Sequence, residues 1–219
     1  VISHIDQLVK SRFMEMFGDP VVNSKNYEHK EICDVCKKIL GGGTPSKANE
    51  DYFSGNIPWV SPKDMKTEFI HETTDCITEE AVRNSSTKLI PKDSVLMVIR
   101  SGILKRTLPV AINTVPVTIN QDMKAFILNE HIIPIFLMHY FKATEKKILN
   151  KVRSVTADNI DFKEFVHNTI PLPPLPLQQQ FATFVEKVDK SKFIVGNRLA
   201  GRLYRNLLTK LSLSEADYD

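Results

Sequence analysis

Little in this sequence announces chemistry. Its 219 residues include three cysteines, one tryptophan and eight glycines. No run of about 18 apolar residues occurs, so no membrane-spanning helix is expected. The N-terminus lacks the charged-then-apolar layout of a signal peptide. An odd, small cysteine count argues against a disulfide scaffold and for a reducing compartment, so the cytoplasm is the expected location. There is no initiator methionine, and the expectation is an altered start or a piece of something longer. No G-x-S-x-G elbow, H-E-x-x-H helix or kinase signature is present, which removes the commonest hydrolase, zinc-protease and phosphotransfer patterns. The six histidines (4, 29, 71, 131, 139 and 167) show no metal-ligand spacing. His139 is expected on a helix and the others on surface loops. Cys33 and Cys36 in "EICDVCKKIL" lie beside Ile32, Ile39 and Leu40, and read as buried thiols on a helical face.

What is present is ordinary in amount and uneven in arrangement. Hydrophobic residues make up 42% and charged residues 25%, with a net charge of +3. This is the composition of a globular chain that can bury a normal core. From Arg83 to Arg106 there are six basic residues and one acid, and from Lys142 to Arg153 five basic residues and one acid. Between Glu68 and Glu80 there are five acids and no Lys or Arg. Such segregation can give a nearly neutral protein a positive face suited to a polyanion.

"GGGTPSK" (41–47) raises the question of phosphate binding. A phosphate loop needs glycine before its lysine and a hydroxyl after it. Here Ser46 precedes Lys47, Ala48 follows it, and Pro45 offers no N–H. Three adjacent glycines cannot make G-x-G-x-x-G either. A helix end followed by a turn is the simpler reading.

The periodicity predicts a first helix over Ile2, Ile5, Leu8, Val9, Phe13, Met16 and Phe17, opened by Ser3 and Asp6 and stopped by Gly18 and Pro20. "NIPWVS", "SVLMVI", "LPVAI", "PVTI" and "MKAFIL" read as strands. They follow one another without long helices between them, so the sheet is partly antiparallel and the class α+β. Thr78 opens a short helix in "TEEAVRNSS". "IPIFLMHYFKATEKKIL" reads as one longer helix buried through Ile135, Leu137, Met138, Phe141 and Ile148. After the proline-rich "IPLPPLP", apolar residues from Leu177 to Leu211 recur at helical steps. A helix from 177 to 212 would be roughly 54 Å long. Its stripe requires another helix to cover it, in this chain or a partner, and the first helix is the nearest.

Four stretches in order then resemble one family: "GGGTPSK" with "YFSGNIPWVSPKDM", "LIPKDSVLMVIRSGILKRTLPVAINTVPVTINQDMKAF", and "IPLPPLPLQQQFATFVEKVD". Together they are similar to the specificity subunit of type I restriction–modification systems, over nearly the whole chain. The resemblance implies a target recognition domain that reads part of a split site in double-stranded DNA, with helical spacers setting distance. It implies no catalysis and no cofactor in this chain. S-adenosylmethionine would sit on partner methyltransferase subunits, and restriction subunits would join the full complex. "QLVKSRFMEMFGDP" resembles the end of a central spacer helix. The expected division is spacer end 1–19, recognition domain 20–173, and proline joint plus long spacer helix 174–219.

One recognition domain in place of the usual two implies a C-terminal half or a natural half-subunit. In the latter case two copies would pair through their helices on an inverted-repeat target. The glycine loop would approach DNA closely, with Thr44, Ser46 and Lys47 at phosphates or base edges. Arg100, Lys105 and Arg106 would enter the major groove, where Arg reads guanine. Lys63, Lys66, Lys151 and Arg153 would hold phosphates, and Gln121 and Asn159 would pair with adenine. Phe181, Val185, Val188, Leu199, Leu203 and Leu207 would form the subunit interface. Two other readings stand beside this one. A small metal-dependent nuclease could use Asp19, Glu28 and Lys30, and a helical adaptor would bind only protein.

Overall fold

Ile5, Leu8, Val9, Phe13 and Phe17 are all buried, and their three- and four-residue spacing puts them on one stripe of α1 (Ile2–Phe17). The computed structural model describes residues 2–155 and 159–194. Gly18 ends α1 at φ +74°, donating its N–H to the Met14 carbonyl at 2.8 Å, as a left-handed helix terminator does. Ser3 lies within α1 rather than opening it.

The described residues form ten strands and six helices. All five strands expected from the sequence are present: β3 (Ile57–Val60), β6 (Val95–Val98), β7 (Val110–Asn113), β8 (Thr118–Ile119) and β9 (Met123–Leu128). Five further ones complete the sheets: β1 (His29–Glu31), β2 (Cys36–Gly41), β4 (Phe69–Ile70), β5 (Cys76–Ile77) and β10 (Thr169–Pro171). The main sheet runs β2-β9-β6-β7-β4, a smaller one β5-β3-β8, and β1 pairs with β10. Only β4–β7 and β3–β8 are parallel, so the class is α+β. Every residue of β6 is buried, as a central strand covered on both faces requires.

Thr78 caps α2 (Glu79–Arg83), its side chain accepting from the Ala81 N–H. The expected single helix after residue 133 is two, α3 (Pro134–Ala143) and α4 (Glu145–Val155). Thr144 separates them: it is buried, and its Oγ1 donates to the Tyr140 carbonyl at 2.8 Å, competing with the backbone ladder. Cys33 and Cys36 do not share a helix. Cys33 opens a short 3-10 turn and Cys36 begins β2, whose pairing with β9 holds a bulge between Cys36 and Lys38. Cys36 is nevertheless the inert thiol expected. It donates to the Ile32 carbonyl at 3.2 Å, and burial pushes it up to about 12. Among the histidines expected on loops, His4 lies on α1 and His29 on β1.

The short α5 (Phe162–Phe165) precedes β10, and α6 (Leu175–Ile194) follows it. Pro176 falls in the first turn of α6, where its missing N–H has no helical partner to lose. α6 packs against α1 and α3. Phe181 meets Phe13 and Phe17 edge-on at 5.4 Å, and Phe136 of α3 lies 4.9 Å from Phe17. Each such pair adds about 0.5–1.5 kcal/mol beyond the area it buries. The described part of the stripe expected to seek a helix has therefore found α1 and α3. Phe181, Val185 and Val188 are buried inside the chain and are not open to a partner. Leu199, Leu203 and Leu207 lie outside the described residues.

Candidate nucleic-acid interface

Strand register determines which loops meet. Gly41 at the end of β2 lies opposite Lys124 near the start of β9, and Val98 at the end of β6 lies opposite Met123. β7 starts at Val110, opposite Met97. The loop after β2, the loop after β6 and the turn before β9 therefore share one edge of the main sheet. The smaller sheet reaches the same edge: Val60, the last residue of β3, accepts from the Asn120 N–H at 2.9 Å.

Gly42 and Gly43 bring the first loop against that turn. A Cβ on Gly42 would sit 2.0 Å from the Asn120 carbonyl oxygen and 2.1 Å from that of Ile119. The Gly43 N–H donates to the Ile119 carbonyl at 3.0 Å, and its own carbonyl accepts from the buried Trp59 indole at 3.0 Å. The close approach these glycines permit is thus to the chain's own backbone. The Gly43 N–H is already used and does not cradle a phosphate.

Four sequence-distant residues named for DNA contact gather here. The Thr44 hydroxyl donates to Gln121 Oε1. Next to Gln121, the Asp122 N–H donates to Asn120 Oδ1 at 3.0 Å, closing a local turn. Arg100 Nε donates to Asp122 Oδ1 at 2.6 Å, and the Arg100 backbone bridges that of Asn159. The Arg100 side chain stays 53% exposed. One of its five N–H donors orients the fork on Asp122, and the guanidinium keeps others for a ligand. Asp122 and Asn120, which hold this arrangement, are absent from the sequence expectation. Their "NQD" turn chemistry was the available signal.

The remaining basic residues divide by their company. Lys105 and Arg106 are exposed around a 3-10 turn (Gly102–Lys105) anchored by buried Leu104. Ser46, Lys47 and Lys66 are exposed. Lys63 pairs with Asp75 at 2.7 Å, and that hydrogen bond raises its pKa. Both lysines sit in the turn following β3, where Ser61 and Asp64 make a reciprocal cap. Partial burial opposes ionisation of Asp64, but hydrogen bonds from Thr74 and Ser61 outweigh it and hold the carboxyl below its ordinary value. Lys151 does not join the cluster. It pairs with Glu164 at 2.8 Å and reaches Asn168 at 3.4 Å. Arg153 lies on α4, its side chain outside the described set.

The nuclease trio is not assembled as a metal site. Asp19 accepts from the Val21 N–H at 2.8 Å, and Glu28 pairs with Lys30. Among the described residues the one group of three or more potential metal ligands is Glu31, Cys33 and His167. No helix among them is long and apolar enough to cross a membrane.

A mixed-sheet body that presents amide and guanidinium groups on one edge and rests on a helix pair has the form of a recognition module. Residues 24–200 match the type I restriction modification DNA specificity domain, and the chain belongs to that family. It is 42% identical over 155 residues to the EcoR124I/EcoR124II specificity subunit of Escherichia coli, covering 69% of this chain and 38% of that protein. It is 28% identical over 215 residues to the MjaIX specificity subunit of Methanocaldococcus jannaschii, covering 91% and 48%. The chain thus spans about half or less of these relatives' length. The fold matches the HsdS subunit from Thermoanaerobacter tengcongensis with TM-score 0.62 at 19% identity, over 95% of this chain and 50% of that one. It also matches the type I restriction–modification S subunit from M. genitalium with TM-score 0.61 at 14% identity, over 95% and 54%.

Proposed function

We propose that this chain reads one half of a bipartite site in duplex DNA and holds methyltransferase subunits, and in the full complex restriction subunits, on its helices. The chain itself is non-catalytic on this reading, and S-adenosylmethionine belongs to the methyltransferase. On the same reading it acts on cellular DNA, in the cytoplasm. A second copy, joined through Leu199, Leu203 and Leu207, would supply the other half-site.

The observation that carries the reading is the Thr44–Gln121 and Asp122–Arg100 pairing at one sheet edge. It brings an amide and a guanidinium from distant parts of the chain to one exposed place. These are the side chains that read adenine and guanine bidentately in the major groove. Orientation by neighbours before binding lowers the ordering cost of the contact.

Co-expression with its methyltransferase, followed by mapping of methylated adenines, tests the proposal. The expected result is a fixed bipartite motif. Arg100→Ala should relax one position of that motif and cost about 1–3 kcal/mol in duplex affinity. Unchanged affinity and motif in both Arg100→Ala and Arg106→Ala would remove the reading loop from this edge. Cleavage of duplex by the chain alone with a divalent metal would overturn the non-catalytic assignment.

A further inference from the structure

At the end of the main sheet opposite the reading loops, where Cys36 faces Leu128, three donor atoms of different chemistry converge. His167 Nδ1 lies 2.6 Å from Glu31 Oε2. Cys33 Sγ lies 3.3 Å from the same Oε2 and 3.9 Å from His167 Nδ1. Asp34 Oδ1 is a further 3.9 Å from the sulfur. The spacing of these residues along the chain gave no hint of this.

We infer that Glu31, Cys33 and His167 bind a zinc ion, with Asp34 or water completing the coordination, and that the ion staples the two ends of the recognition body together.

Donor separations support the assignment. With Zn–S about 2.3 Å and Zn–N or Zn–O about 2.0–2.1 Å, tetrahedral donors lie about 3.3–3.6 Å apart. The two distances to sulfur bracket that range. The Glu31–His167 pair must open by about 0.7 Å, and the Cys33–His167 pair must close by about 0.3 Å, on the same bond lengths. Thiolate, imidazole and carboxylate together suit zinc better than calcium or magnesium, which prefer all-oxygen sites.

The backbone already fixes the three residues. The Ile32 N–H donates to the Asn168 carbonyl at 3.1 Å and the Cys33 N–H to the Val166 carbonyl at 3.0 Å, so both neighbours of His167 are tied to the segment that runs from Glu31 at the end of β1 to Cys33. The side chains stay accessible, Glu31 at 41% and His167 at 65%, which gives an ion a way in. Glu31 and His167 are 136 residues apart in sequence, so a bound ion closes nearly the whole recognition body. Cross-links across long loops restrict the unfolded chain most.

Cobalt titration of the reduced, metal-stripped full chain tests this. One equivalent should produce a thiolate-to-cobalt charge-transfer band that zinc then abolishes. Zinc should raise the melting temperature. Cys33→Ser should lose the band and the zinc-dependent stabilisation while keeping the circular dichroism of the parent. His167→Ala should weaken cobalt binding at least about tenfold. Cys36→Ser and Cys76→Ser should leave the band intact. Absence of saturable binding, or a band surviving Cys33→Ser, would overturn the assignment and leave Glu31–His167 an ordinary surface pair. Neither outcome tests DNA recognition, because each is read from metal binding and stability alone.

Discussion

Phe13, Phe17, Phe136 and Phe181 meet in the seam between α1, α3 and α6 with almost no exposed surface, whereas Arg100, Gln121, Lys47 and Lys66 at the loop edge are exposed. The seam draws its free energy from area removed from water, about 1.5–3 kcal/mol per large side chain. The edge buries little and contributes little to folding. Its side chains can change with small effect on stability, which is the property the proposed DNA-reading surface needs. Between the two lies a third layer of glycine backbone and short Asn/Asp turns that belongs to neither. It sets where the exposed groups point.

The seam gives the largest expected effect. Phe181→Ala removes a side chain that is 0% exposed and touches rings on α1 and α6 itself. Loss of such a ring costs about 3–5 kcal/mol. A urea midpoint lowered to match, with sequence preference unchanged in the fraction still folded, would separate stability from reading. A loss below about 1 kcal/mol would mean that α6 is not held by this seam.

The middle layer comes next. Gly42→Ala places a methyl 2.0 Å from one backbone oxygen and 2.1 Å from another, and neither can swing aside as a side chain would. Overpacking of this kind costs about 1–3 kcal/mol. The displaced segment is the turn that carries Gln121 and Asp122. Duplex affinity measured by fluorescence anisotropy should therefore fall even where the variant is fully folded. Equal affinity for parent and variant would show that the glycine loop does not position the reading groups.

The same contrast explains what the sequence disclosed. Strands rich in β-branched residues, the Thr78 cap and the Gly18 stop are local signals, and each was legible. The short strands β1, β4, β5 and β10 have two or three residues each. They exist only because distant partners supply their hydrogen bonds, so no local pattern marks them. Thr144 sits inside an uninterrupted helical pattern and breaks it through its own buried hydroxyl. At the site, residue types were legible and company was not. Arg100 reads from sequence as a basic residue after a strand, but the Asp122 that orients it lies 22 positions away. The Lys151–Glu164 pair, which takes Lys151 out of the cluster, is equally invisible. Glu31, Cys33 and His167 follow the same logic over a longer span.

The smallest effect belongs to the exposed lysines, and it separates two kinds of edge residue. Lys66 has an exposed side chain in the turn after β3, three positions from Lys63, whose ammonium already faces Asp75 at 2.7 Å. If Lys66 holds a phosphate, Lys66→Ala should weaken all duplex sequences alike and reduce the slope of log affinity against log salt by about one. Stability should stay within about 0.5 kcal/mol of the parent. Lys63→Ala should change the slope less, because binding DNA would first require its ammonium to leave Asp75. Anisotropy titrations at several salt concentrations, on cognate and unrelated duplexes, measure both slopes. An Asp75→Asn variant that made Lys63 as salt-responsive as Lys66 would identify the pairing as the cause. A sequence-dependent loss in Lys66→Ala would instead move this lysine from the phosphate group to the readers.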